Sequence, residues 1–315
     1  MSFSADIKEE LSRHLGSARH CQIAELAAIT AFCGRVSVDD SGLFSMKIST
    51  ENKIVARKYF TLLEKAFNIN SCIPLCDNNI KKGSAYTINL DNDKQVRKLL
   101  LAFKMLENEE LIDRNGTVSS MLIQTACCKR AFIRGVFMAA GSISDPNKFY
   151  HFEVVCDTPA QACQVRDVMN TFDAEAKVIQ RKKYYVVYVK EGTQIADLLK
   201  VMEAGVSLMA FENIRIVKEM RNSVNRQVNC ETANLNKTVS AAVRQIQDIE
   251  CIRDTIGLSG LNPGLRDVAE ARLENPDMNL KDLGQLLSPP VGKSGVNHRL
   301  RKLSEIAESL RGKAK

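Results

Sequence analysis

The feature that most constrains this chain is that it repeats itself. The stretch Ile133-Arg134-Gly135-Val136-Phe137-Met138-Ala139-Ala140-Gly141 has a counterpart, Leu26-Ala27-Ala28-Ile29-Thr30-Ala31-Phe32-Cys33-Gly34, 107 residues earlier. Ala131, Gly135 and Ala139 recur at helical spacing and form a stripe of small residues that lets a second backbone come close. The matching stripe in the first copy is Ala24 and Ala28, with Phe32 in the third place. These five small residues are the expected interface of a helix pair. Each copy ends in a glycine.

The flanks repeat too. Residues 43–50 alternate apolar and polar side chains as a half-buried strand does, and residues 150–157 follow at the same 107-residue offset. Helical runs come next at 53–67 and 160–172. Basic turns, Lys81-Lys82 and Lys182-Lys183, then lead into strands at 85–90 and 184–189, and amphipathic helices close the halves near 96–106 and 195–202. This predicts an α+β fold: a duplicated α-β-β-α-β-α unit whose first helices meet at a pseudo-twofold axis, with the two sheets side by side. The boundaries read as a helical leader over 1–18 capped by Ser4, a two-repeat domain over 19–210 (repeats 19–107 and 126–210), an Asn-rich segment and linker helix over 211–262, and a helical module over 263–315. Residues 108–117 join the repeats, and Glu107, Glu109, Glu110 and Asp113 there read as a solvated helix end.

Composition narrows the class. The 315 residues are 45% hydrophobic and 26% charged, as in a globular protein with real cores. No signal peptide or membrane-length apolar run is present, so the expected location is the cytoplasm, with no membrane partner. The ten cysteines are dispersed, with Cys127 and Cys128 adjacent and Cys72-x3-Cys76 the nearest approach to a ligand pair. Together with four scattered histidines, His14, His20, His151 and His298, they read as reduced core thiols, with no metal site and no cofactor expected. The net charge of +7 is concentrated, because seven bases and two acids from Lys293 onward place +5 in the last segment. A polyanion site therefore belongs at the C-terminus.

That C-terminal region is helical in pattern. Residues 222–236 are dense in Asn and read as capping and loop residues. A long amphipathic helix follows, carrying Val239, Val243, Ile246, Ile249 and Ile256 and stopping at Gly257. Asn262-Pro263 opens the next helix and Asn275-Pro276 closes it. Asn279 caps a short helix with Asp282 as a partial capping box, and a Ser288-Pro289-Pro290 linker leads to a last helix over 294–310. Three short helices in this order are the signature of a helix-turn-helix, with its motif at about 279–312. Val296, Leu300, Leu303, Ala307 and Leu310 define the core face of the last helix. Lys293, Ser294, Asn297, His298, Arg301 and Lys302 are the candidate DNA-contacting residues at its start and away from that face. The partner this predicts is double-stranded DNA. Lys47, Lys81, Lys82, Arg181, Lys182 and Lys183 of the duplicated domain are also phosphate-binding types, whereas Glu153 on a strand face there would repel a duplex.

The paired nonapeptides resemble the LAGLIDADG motifs of homing endonucleases, in which an acidic residue before the final glycine binds the metal that drives DNA cleavage. Cys33 and Ala140 occupy those positions here, so neither motif supplies the oxygen ligand a hard cation needs. The whole chain resembles the WhiA family, through residues 2–11, the Asn-rich run with Lys237-Thr238, and residues 265–310. That resemblance implies a degenerate LAGLIDADG-like domain joined to a helix-turn-helix like that of sigma factors. It also implies no catalytic residues and a nucleoid-associated regulator in Gram-positive bacteria, acting in transcription during sporulation or in cell division and chromosome segregation. RNA polymerase or another transcription regulator is the implied second partner. The rival functions are an active endonuclease, which needs acids near both motif ends, and a protein-binding or ligand-sensing module, which has no use for the C-terminal charge. The sequence assigns no oligomeric state.

Overall fold

A computed structural model describes residues 2–70, 86–108, 110–112 and 114–313. The chain divides into two compact units, Met1–Lys218 and Glu219–Lys315. The first opens with α1 (Phe3–Arg13), which buries Ile7 and Leu11. Its cap is Ser2 rather than Ser4, because the Ser2 hydroxyl accepts from the Ala5 amide while Ser4 accepts from the amide of Ile143. The first repeat then runs α2 (Arg19–Cys33), β1 (Gly34–Val38), β2 (Phe44–Thr50), α3 (Lys53–Phe67), β3 (Tyr86–Leu90) and α4 (Asp93–Ala102). Strands β1, β2 and β3 form an antiparallel sheet in that order. Lys81, Lys82, Cys72, Cys76, Glu109 and Asp113 lie outside the described residues, as do all of 71–85.

Between the repeats stands a small hairpin, β4 (Leu106–Glu107) and β5 (Glu110–Leu111), where a helix end was expected. Helix α4 stops short of it, and left-handed Lys104 and Asn108 turn the chain instead. The second repeat follows as α5 (Ala126–Ala140), β6 (Gly141–Ile143), β7 (Phe152–Cys156), α6 (Pro159–Asn170), β8 (Lys177–Arg181), β9 (Tyr184–Val189) and α7 (Gly192–Val201). Its sheet has four strands in the order β6-β7-β9-β8. The pattern predicted three; β8 was missed because the basic turn at Lys182, a tight left-handed residue, joins two strands rather than leading into one.

Helices α2 and α5 pack along each other and carry the core of this unit between them. Ala24, Ala28 and Ala131 are fully buried, and Ala139 is partly exposed. A Cβ on Gly135 would stand 2.6 Å from the Glu25 carbonyl oxygen and 2.8 Å from the Ala28 Cβ, so only glycine permits this approach.

The expected loop over 222–236 is helix instead. Helix α8 (Gly205–Ile256) runs unbroken through the Asn-rich run, and the chain from 206 to 256 contains neither Gly nor Pro. Asparagine lowers helix propensity by only a few tenths of a kcal/mol per residue, too little to break a helix already nucleated on both sides. Gly257, with a left-handed φ of 73°, ends it. In the second unit, α9 (Pro263–Glu274), α10 (Leu280–Gln285) and α11 (Lys293–Lys313) close over a core of Ile249, Ile252, Val268, Leu283, Val296, Leu300 and Leu303. Among the described residues no helix is long and apolar enough to cross a membrane.

Candidate nucleic-acid interface

The helix-turn-helix is held by polar contacts. Asn262 and Asn279 cap α9 and α10 through their side-chain oxygens, and the Asn279 amide donates to Asp282 at 2.6 Å. Arg272 is buried and donates to the carbonyls of Met278 (2.6 Å) and Pro276, which ties down the connection between α9 and α10. Burial holds its guanidinium below the usual arginine range. The long connection to α11 folds back, with the Val291 amide donating to the Gly284 carbonyl at 2.9 Å. A side chain at Gly284 would run into the Val291 carbonyl, so this close approach fixes the residue as glycine.

Helix α11 therefore has a defined inner face, Val296, Leu300, Leu303 and Ala307, all buried. Lys293, Ser294, Asn297, His298, Arg301 and Lys302 are exposed on the remaining surface of the same helix. Lys293, Arg301 and Lys302 form no ion pair with any described residue. Two other bases of the +5 segment are engaged within their own unit: Arg299 donates to the Gly264 carbonyl at 3.2 Å, and Arg311 donates to Asp248 at 2.8 Å. Sequence counting treated all seven alike.

In the first unit the motif ends are formed but lack acids. Cys33 and Ala140 terminate α2 and α5, and Gly34 and Gly141 begin β1 and β6 directly after them. The nearest acids past the turns, Asp39 and Asp145, are turn caps: Asp39 accepts from the amides of Ser41 and Leu43, and Asp145 from the amide of Asn147. What stands beside Cys33 is a cation, Lys8 of α1, whose ammonium lies 5.7 Å from the centre of the Phe137 ring. Burial lowers its pKa to about 8 and raises that of the Cys33 thiol to about 11. A lysine there repels the divalent metal that carboxylates would attract.

The outer sheet faces differ between repeats. In the first, Arg35 pairs with Lys47 and Lys47 with Asn89 across β1, β2 and β3, all three exposed. In the second, Glu153 sits between Ser142 and Tyr188, lies 3.1 Å from the His151 ring nitrogen and forms an ion pair with Arg181 at 3.5 Å, so Arg181 is already engaged by a carboxylate. Lys182 and Lys183 are exposed at the turn beyond.

Midway along the helix pair is a buried ion network that the sequence pattern does not reveal. Glu25, fully buried, lies 3.2 Å from Lys58 in an ion pair and accepts from Arg134 at 3.1 Å. Arg134 also reaches Glu203 at 2.6 Å, and Lys58 donates to the carbonyls of Leu11 and His14. At the N-terminal end of the pair, His20, Cys21, Cys127 and Cys128 come together, although the sequence suggested dispersed thiols.

Comparison with known proteins matches this organisation segment by segment. The family model of the WhiA N-terminal LAGLIDADG-like domain matches residues 19–106, that of the WhiA LAGLIDADG-like domain 129–221, and that of the WhiA C-terminal HTH domain 224–307. The chain is 54% identical over 312 residues to a "Probable cell division protein WhiA" of Lachnoclostridium phytofermentans, covering 99% of this chain and 100% of that one. It is 47% identical over 313 residues to the protein of the same name in Clostridium botulinum strain Eklund 17B, covering 99% of each. The crystal structure of full-length WhiA from Thermatoga maritima shares the fold, with a TM-score of 0.57 at 24% identity over 98% of this chain and 99% of that one.

Proposed function

The chain belongs to the WhiA family, and from that premise we propose that it is a non-catalytic, sequence-specific duplex-DNA-binding protein that regulates transcription in support of cell division. The observation that carries this reading is the exposed row of Asn297, His298, Arg301 and Lys302 on α11, opposite a fully packed inner face and without internal ion partners. A helix presented in this way enters the major groove, where Asn recognises adenine edges and Lys and Arg neutralise phosphates. Lys293 and Ser294, in its first turn, are placed for backbone phosphates. The cell-division role is supported by the names its relatives carry. The same reading locates the protein on the nucleoid and makes RNA polymerase or another transcription regulator its second partner, with chromosome segregation and sporulation as the processes served.

The test is a salt titration of binding on specific and random duplexes by the wild type, Asn297→Ala and an Arg301→Ala/Lys302→Ala double variant. The double variant should bind every sequence more weakly, with a slope of log K against log salt shallower by about 0.9 for each phosphate no longer neutralised. Asn297→Ala should cost about 1 to 3 kcal/mol on the preferred site and little on random DNA. Equal binding by all three proteins would remove α11 as the reading helix.

A further inference from the structure

The N-terminal ends of α2 and α5 bring four ligand-type side chains to one point. The Nδ1 or Nε2 of His20 and the Sγ atoms of Cys21, Cys127 and Cys128 all lie within 4.8 Å of one another. His20 Nδ1 is 3.1 Å from Cys128 Sγ and 3.4 Å from Cys21 Sγ. Cys21 and Cys128 are buried, packed with Ala24 and Ala131, while His20 and Cys127 are exposed at the rim.

The set follows from the repeat. His20 and Cys127 stand 107 residues apart, as do Cys21 and Cys128, and the helices that carry them, Arg19–Cys33 and Ala126–Ala140, start and end at that same offset. Each half therefore contributes its two equivalent positions to the cluster. The stripe of small residues brings the helices close enough for the four atoms to converge.

We propose that this cluster is a structural zinc site, Cys3His, that clasps the two halves of the duplicated domain at one end of their shared helix pair. Three sulfurs and one imidazole nitrogen are a soft donor set that favours zinc over hard cations. A tetrahedral site with Zn–S bonds of about 2.3 Å places its sulfurs about 3.8 Å apart, so ligands already within 4.8 Å need little movement. Four protein ligands leave no open position, which makes the site structural rather than catalytic. On binding, the three thiols release their protons, and His20 coordinates through Nδ1 as a neutral imidazole with its proton on Nε2. The three thiolates and the dication leave a net charge of −1. That charge faces the positive ends of two helices, with Arg130 and Arg134 lining the adjoining cleft.

Zinc alone is the probe. Full-length protein purified under reducing conditions should carry one zinc per chain by elemental analysis, and removing it with a chelator should lower the thermal midpoint. Cobalt added to the stripped protein should give the intense thiolate-to-metal absorption and tetrahedral ligand-field bands of a sulfur-rich site. The rim variants Cys127→Ser and His20→Asn, which disturb little packing, should each lose stoichiometric zinc and weaken those bands. Cys230→Ser, on the exposed surface of α8, should leave both unchanged. Reduced protein that takes up neither metal would overturn the proposal, as would rim variants that retain zinc as the wild type does. A disulfide joining Cys21 to Cys127 or Cys128 in the protein freshly isolated without oxidant would also overturn it.

Discussion

The paired helices α2 and α5 have the same length and the same sequence offset, yet their two ends have opposite chemistry. Their C-terminal ends, Cys33 and Ala140, are where the resemblance to homing endonucleases places carboxylates, and they present a thiol, a methyl group and the nearby ammonium of Lys8. Their N-terminal ends, about 20 Å away along 13 residues of helix, present a histidine and three cysteines. One end has lost the oxygen donors of a hard cation, and the other holds the sulfur donors of a soft one. The difference teaches that the close-packed helix pair is independent of the chemistry at either tip. What the tips share is the middle, where Glu25, Arg134 and Gly135 lock the halves together.

The largest effect should come from that middle. Arg134→Met removes one of the two cations paired with fully buried Glu25 among the described residues and should cost about 3 to 5 kcal/mol in denaturant unfolding. Adding Glu25→Gln should deepen that loss rather than return it, because fully buried Lys58 then loses its carboxylate as well. If the single variant unfolds at wild-type denaturant concentrations, the network does not lock the halves. Gly135→Leu comes next. Its Cβ alone would meet backbone at 2.6 Å, so overpacking should cost on the order of 1 to 3 kcal/mol or more. An unchanged melting temperature would mean that the helices do not touch there.

A smaller effect separates the ends. Because burial lowers the Lys8 pKa from 10.5 to about 8, the unfolded chain holds a proton between those values that the folded protein lacks. Stability therefore rises with pH across that window, and below pH 8 the buried ammonium carries its full desolvation cost. Lys8→Met should be more stable than wild type at pH 7 by about 1 kcal/mol, allowing for partial exposure, with the gain shrinking above pH 8. A gain that stays constant from pH 7 to 10 would show that the ammonium is not desolvated. The smallest expected effect is none: supercoiled plasmid incubated with the protein and Mg²⁺ or Mn²⁺ should remain uncut, and nicking abolished by mutating a nearby acid would return the C-terminal end to catalysis.

Much of the scaffold was legible because it rests on local chemistry. The small-residue stripe indicated the helix pair, and Asn262-Pro263 and Asn279 marked the starts of α9 and α10. Other parts rest on long-range convergence. Glu25 and Arg134 are polar residues in otherwise apolar helices, and only the fold brings them together from 109 residues apart. The Asn-rich run looked like loop because its residue type favours caps, although no Gly or Pro interrupts it. The four-ligand cluster was in principle readable. Cys127-Cys128 is not a chelating motif, and neither is His20-Cys21, but shifting one by the 107-residue repeat lays it on the other. Which bases of the last segment remain free was not readable, since Arg299 and Arg311 are claimed by a carbonyl and a carboxylate distant in sequence.

The buried Glu25–Arg134 pair also bears on how far the two repeats are separable. Each repeat has its own sheet, yet isolating either would expose a stripe of small apolar residues and break the buried Glu25–Arg134 pair that crosses between them. The peptide link through β4 and β5 is a two-residue ladder in which Leu106 is buried and Glu107, Glu110 and Leu111 are exposed. The halves are thus packed like the subunits of a heterodimer that is covalently tethered: a chain nicked in that hairpin should keep its two pieces associated through α2 and α5.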